Sequence, residues 1–119
     1  MRILIVVVAA AMFYCGAAAA QSVGGKYAVK GTNLDGSSYG GTATITPAGS
    51  ACVIVWDTGS GSISKGICML ANKAFAASYV LDGKVGLVVY EVQPDGALKG
   101  VWTIADTEGA GTELLSPAK

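Results

Sequence analysis

The chain reads as an all-β domain, eight short antiparallel strands in an up-and-down meander that closes into a small barrel, with a two-sheet sandwich as the alternative. Three observations lead there. Short runs of alternating apolar and polar residues, punctuated by Gly, Pro, Asn and Asp, recur about every ten residues beyond position 25, while helical periodicity is scarce. Nearly every connection between runs is of hairpin length, which favours neighbours in one closed sheet over the long crossovers of a sandwich. Cys52 and Cys68 stand eight residues either side of Ser60, at the centre of Thr58-Gly59-Ser60-Gly61-Ser62. A chain folded there brings the two sulfurs opposite each other, and the resulting disulfide pins one hairpin and contributes about 3 kcal/mol by restricting the unfolded chain.

Arg2, the apolar run Ile3 to Tyr14 and the small residues Ala18-Ala19-Ala20 form an export signal, residues 1–20, with cleavage expected after Ala20. The single domain that remains is 21–119. The apolar stretch is shorter than the roughly 20 residues a spanning helix needs. No membrane association is therefore expected after cleavage, and the expected location is periplasmic or extracellular. Cys15 follows Met12-Phe13-Tyr14 rather than the small residues of a lipoprotein acceptor, so it leaves with the signal. Two cysteines remain, an even count suited to an oxidising compartment.

The first strand, Lys26 to Thr32, sets Lys26, Ala28 and Lys30 on a wet face and Tyr27 and Val29 inward. Asn33-Leu34-Asp35-Gly36-Ser37 turns the chain, since Asp-Gly takes positive φ readily. Tyr39 to Thr46 follows, with Ala43 and Ile45 inward, and Pro47-Ala48-Gly49 ends it. In Ala51 to Asp57, Cys52, Ile54 and Trp56 share one face. After the central turn Ile63 to Leu70 returns in a register that pairs Cys52 with Cys68, Ile54 with Gly66 and Trp56 with Ser64, the glycine leaving room beside the indole. Phe75 to Leu81, Val85 to Gln93 and Leu98 to Ala105 continue the meander through the turns Asp82-Gly83 and Pro94-Asp95-Gly96. They place Val88, Tyr90, Val92, Leu98, Trp102 and Ile104 inward. Thr112 to Leu115 closes the count at eight. Tyr27 to Lys30 with Asp35-Gly36 is echoed by Tyr90 to Gln93 with Asp95-Gly96, as two hairpins with the same turn chemistry would be.

Composition removes most chemistries. The chain has 119 residues, no histidine, and eight basic against eight acidic residues. Without histidine there is no Ser-His or Cys-His nucleophile, and the commonest general base and metal ligand is missing. Two cysteines do not complete a zinc site, and no residue pattern implies a cofactor. With Arg2 gone, seven lysines face eight acids without a cluster of either sign, so nucleic acid is not an expected partner. Asp35, Asp82 and Asp95 precede glycine in turns, and Asp57, Glu91, Asp106 and Glu108 stand as the candidate acids for a carboxylate hydrolase.

The aromatic residues Tyr27, Trp56, Phe75, Tyr79, Tyr90 and Trp102 fall in predicted strands. Either they fill the core of a small barrel or several line its mouth. In the second case Trp56, Trp102, Tyr27 and Tyr90 line a pocket for an apolar or planar molecule, and Asn33 and Ser37 offer polar contacts at its rim.

Gly25, Tyr27 and Asn33-Leu34-Asp35-Gly36-Ser37 resemble the opening of avidin-type biotin binders, which carry Asn-x-x-Gly-Ser after a Gly-x-Trp strand, and Leu98 to Trp102 resembles a later tryptophan-bearing strand of that family. Tyr27 stands where the family has Trp. The resemblance, shared at the level of topology with lipocalin-type barrels, implies contacts to a ligand from Asn33 and Ser37. Over most of the domain, the run from Gly25 to Asn33, Asp35-Gly36-Ser37, Trp56, Gly66-Ile67-Cys68, Val89-Tyr90, Gly100-Val101-Trp102 and Gly111-Thr112-Glu113 is similar to small exported bacterial proteins of unassigned function, some labelled fibronectin-binding. That similarity implies export and an all-β fold. The expected function is thus non-catalytic binding of a small molecule, with a protein-interaction module (adhesin or inhibitor of a secreted enzyme) as the alternative. The expected state is monomer or homodimer.

Overall fold

The computed structural model describes residues 23–59 and 61–118. Residues 1–20, expected to be an export signal, with Cys15 among them, and Ser60 at the centre of the glycine-rich turn lie outside the described residues. The strands are β1 (Gly25–Thr32), β2 (Ser38–Ala48), β3 (Ala51–Asp57), β4 (Ile63–Ala71), β5 (Ala74–Leu81), β6 (Lys84–Val92), β7 (Leu98–Ile104) and β8 (Gly111–Pro117). Each pairs antiparallel with its sequence neighbour, and β1 meets β8 from Tyr27↔Pro117 to Thr32↔Thr112, closing the barrel. Closure leaves no free edge among the described strands, which decides for the barrel over the sandwich.

The hairpin centred on the glycine-rich turn has the expected register: Cys52↔Cys68, Ile54↔Gly66 and Trp56↔Ser64. The sulfurs are joined, with Cα atoms 4.9 Å apart, and both cysteines are buried inside the barrel. Gly66 differs from expectation. A Cβ there would overlap the Ser78 carbonyl of β5, so the glycine serves close backbone approach rather than space beside the indole. Strand β2 also runs on through Pro47, which pairs with Cys52. Its pairing with β1 ends at Ile45↔Gly25, so the proline has no rung to fill on that side and its missing N–H costs nothing.

The barrel has two unlike ends. At the end closed by the turns after β2, β4 and β6, the inward side chains Tyr27, Val29, Ile45, Ile54, Phe75, Leu98 and Leu115 fill the interior. The Phe75 and Tyr90 rings meet at 5.7 Å. Tyr27 belongs to this filled end, where its hydroxyl donates to the Val23 carbonyl at 2.7 Å and burial raises its pKa. The opposite end opens between the turns after β1, β3, β5 and β7. Asp82 and Gly83 both have positive φ in the tightest of these turns (51° and 76°), the two-residue hairpin geometry that Asp-Gly supplies.

Outward positions are mostly polar or small, with one exception. On β4 to β7, Ile63, Ile67, Met69, Val80, Val85, Leu87, Val89 and Val101 are exposed, with Val89 directly opposite Val101 and Val80 opposite Val85.

Candidate functional site

Inward side chains do not fill the open end. They bound a cavity of about 170 Å³ lined by Tyr39, Trp56, Tyr79, Trp102, Leu81 and Val88, with Glu113 in the wall and Asn33, Thr58, Ser62 and Ser64 adding polar groups. The rings lie against the wall because of what stands opposite them. Tyr39 pairs with Gly31, Tyr79 with Gly86 and Trp102 with Gly111. A Cβ at any of these glycines would overlap the ring across from it, so each ring folds flat onto its neighbour's backbone instead of crossing the interior. Edge-to-face contacts set the rings against each other, Trp56 with Tyr79 at 5.4 Å and Tyr39 with Trp102 at 6.3 Å.

Glu113 is the chemical centre of this end. It sits in β8 between Gly111 and Leu115 on the inward face and retains only 7% of its exposure. Its Oε1 accepts hydrogen bonds from Trp56 Nε1 at 2.8 Å and from the Tyr90 hydroxyl, while Oε2 accepts from the Tyr39 hydroxyl. Three donors from three strands thus converge on one carboxylate, the arrangement a buried anion needs. Burial first, and then the charge of Glu113, raises the phenol pKa of Tyr39 and Tyr90 and pushes Tyr79 up to about 12. The Tyr79 hydroxyl donates instead to the Thr103 carbonyl at 2.8 Å. The indole N–H of Trp102 is buried without an acceptor among the described residues.

Of the residues singled out from sequence, Trp56, Trp102 and Asn33 line the cavity. Tyr90 lies beneath it and reaches Glu113 through its hydroxyl. Tyr27 is remote, in the filled end. Ser37 stays within its turn, where its hydroxyl donates to Asp35 at 2.6 Å and accepts from Asn33 at 3.0 Å. The candidate acids do not converge. Glu91 is on the outer face opposite Lys99 near the filled end, whereas Asp57, the exposed last residue of β3, and exposed Asp106 and Glu108, in the turn after β7, lie toward the open end. Among the described residues no three His, Cys, Asp or Glu side chains are grouped to hold a metal ion.

Sequence reasoning missed Glu113 as a site residue, and with it Tyr39. The signal was present: Gly111, Glu113 and Leu115 alternate with Thr112 and Leu114, so a lone acid shares the inward face of a short strand.

No protein-family model and no curated protein matches this chain by sequence. Solved structures match by fold. A point mutant of the fluorescent protein UnaG aligns with a TM-score of 0.55 at 14% identity, over 83% of this chain and 98% of its own. A Schistosoma mansoni fatty acid binding protein, solved in complex with arachidonic acid, aligns at 0.54 and 15%, over 82% and 97%. Wild-type UnaG aligns at 0.54 and 12%, over 82% and 98%. The chain therefore has the architecture of these barrels, at identities that speak to fold alone.

Proposed function

We propose that the protein is a non-catalytic binding barrel that takes a small apolar or planar molecule into its open end. The observation that carries this is the cavity itself: aromatic walls, one buried polar group and a rim of short polar side chains are what a small-molecule site requires. A solved barrel of the same fold holding arachidonic acid supports the reading. Export to the periplasm or beyond the cell completes it, supported by the signal-like residues 1–20 and by an internal disulfide of the kind that persists in oxidising compartments. Both tryptophans of the chain line the cavity, so occupancy should change their emission. Titration with a mixed library of hydrophobic and cofactor-like compounds is the test. A spectrum unmoved by every compound would sink the proposal.

A second reading, a protein-interaction module, draws on the apolar outer face of β4 to β7. Contiguous exposed apolar surface of this kind marks contact sites. Pull-down from envelope extract or host matrix separates the two readings, and recovery of no partner at micromolar concentration counts against the second.

A further inference from the structure

We infer that the ligand of this cavity is a protonated primary or secondary amine carried on a group about the size of one aromatic ring, with its N–H donating to Oε2 of Glu113. The inference rests on the cavity being the binding site and names the chemistry that site selects.

Charge is the first argument. Among the described residues Glu113 is the sole carboxylate in the lining, no lysine or arginine belongs to it, and all six lysines of those residues are exposed to solvent. The carboxylate is thus surrounded by neutral donors and has no countercharge within the cavity. A cation entering the cavity supplies it in a setting of low dielectric, where the attraction is much stronger than in water. An anionic headgroup meets the opposite situation, since it would be desolvated beside Glu113 with no lysine or arginine among the described lining residues to receive it.

Hydrogen bonding is the second. A carboxylate has about four acceptor positions. Oε1 serves both Trp56 and Tyr90, whereas Oε2 serves Tyr39 alone, so a place for one more donor remains on Oε2. The third is the set of rings. Tyr39, Trp56, Tyr79 and Trp102 surround the space beside the carboxylate in two edge-to-face pairs, and aromatic walls of this kind attract an ammonium group through their π faces. Size is the fourth. A cavity of about 150 Å³ holds a benzene molecule, so 170 Å³ takes one ring with a short substituent and not an extended fatty-acyl chain.

Three probes of nearly equal size and different charge test this on the intact protein by tryptophan fluorescence and calorimetry: phenethylamine, phenethyl alcohol and hydrocinnamate. The expected order is amine first, at least about tenfold tighter than the alcohol, with the acid weakest. In Glu113→Gln the amine should lose about tenfold or more while the alcohol changes by less than about threefold. If that variant does not fold, the order of the three probes on the parent protein decides. Equal binding of amine and alcohol, or tightest binding by the acid, overturns the amine and leaves the cavity as a binding site. Binding of none of the three at millimolar concentration overturns the cavity as a site for ring-sized molecules, and the inference with it.

Discussion

Replacing Glu113 by leucine removes the carboxylate at similar side-chain volume and leaves its three donors in place. Tyr39 is only partly buried and can turn its hydroxyl to water in the cavity. Tyr90 and Trp56, at 1% and 5% exposure, cannot. Each stranded buried donor costs about 1–3 kcal/mol, so Glu113→Leu should lose about 2–6 kcal/mol. That is a large part of the roughly 5–15 kcal/mol that stabilises a small domain. At about 4–8 °C per kcal/mol, the melting temperature should fall by at least about 8 °C, read by circular dichroism with the disulfide intact. Glu113→Gln should lose less, because an amide oxygen in the place of Oε1 still accepts from both Trp56 and Tyr90. The partner variant sharpens the test. Tyr90→Phe should destabilise the parent yet stabilise Glu113→Leu by about 1 kcal/mol, since there it removes a stranded hydroxyl. A Glu113→Leu protein melting within a degree or so of the parent, or a Tyr90→Phe effect equal in both backgrounds, refutes the reasoning.

Alkaline titration should unfold the barrel as its phenols ionise. A phenol whose folded pKa is raised contributes stability that is complete below the unfolded value of about 10 and is lost as pH rises through the folded value, about 12 for Tyr79 and higher for Tyr90. Phenolate absorbance and loss of the β signal should therefore rise together above about pH 10, and full ionisation of a still-folded protein contradicts this. Gly66→Ala should cost about 1–3 kcal/mol, because its Cβ would meet the Ser78 carbonyl of two paired backbones that have little room to part; unchanged stability in urea counts against that packing. Replacing both Cys52 and Cys68 by serine should cost about 3 kcal/mol while leaving the strand register intact by amide exchange and NMR contacts between β3 and β4.

Much of the fold was legible because its signals are local. The alternation of Cys52, Ile54 and Trp56, reflected about the glycine-rich turn, located β3 and β4 and their register together. Strand ends were less legible where a distant neighbour decides them. Pro47 looks like a stop until β1 is seen to end short of it, and β8 reads as four residues until β1 and β7 extend it to Gly111–Pro117. The site was harder still. Trp56, Trp102 and Asn33 could be nominated from their own strands or turns, but Glu113 becomes a site residue only when β2, β3 and β6 bring Tyr39, Trp56 and Tyr90 around it. Convergence of that kind is a property of barrel closure, and no window of sequence contains it. Ser37 and Tyr27 show the converse, since a motif and an aromatic strand residue suggested roles that a turn hydrogen bond and the filled end absorb.

The glycines that let the aromatic rings lie flat also act as a key to assembly. A sheet closing on itself must have every seam in register at once, and a slip of two residues at any seam preserves inside and outside while ruining closure. Here each seam carries its own steric or chemical check. Tyr39 fits only over Gly31, Tyr79 over Gly86, Tyr90 over Gly100 and Trp102 over Gly111, while Gly41 and Gly66 admit the carbonyls of Asp57 and Ser78. The Cys52–Cys68 bond fixes the β3–β4 seam, and paired hydroxyls of Thr32 and Thr112 at 2.8 Å mark the β1–β8 seam. The same pairs that hollow out the open end therefore proofread the ring as it closes, and a redesign that fills the cavity by replacing those glycines would lose the alignment before it gained a core.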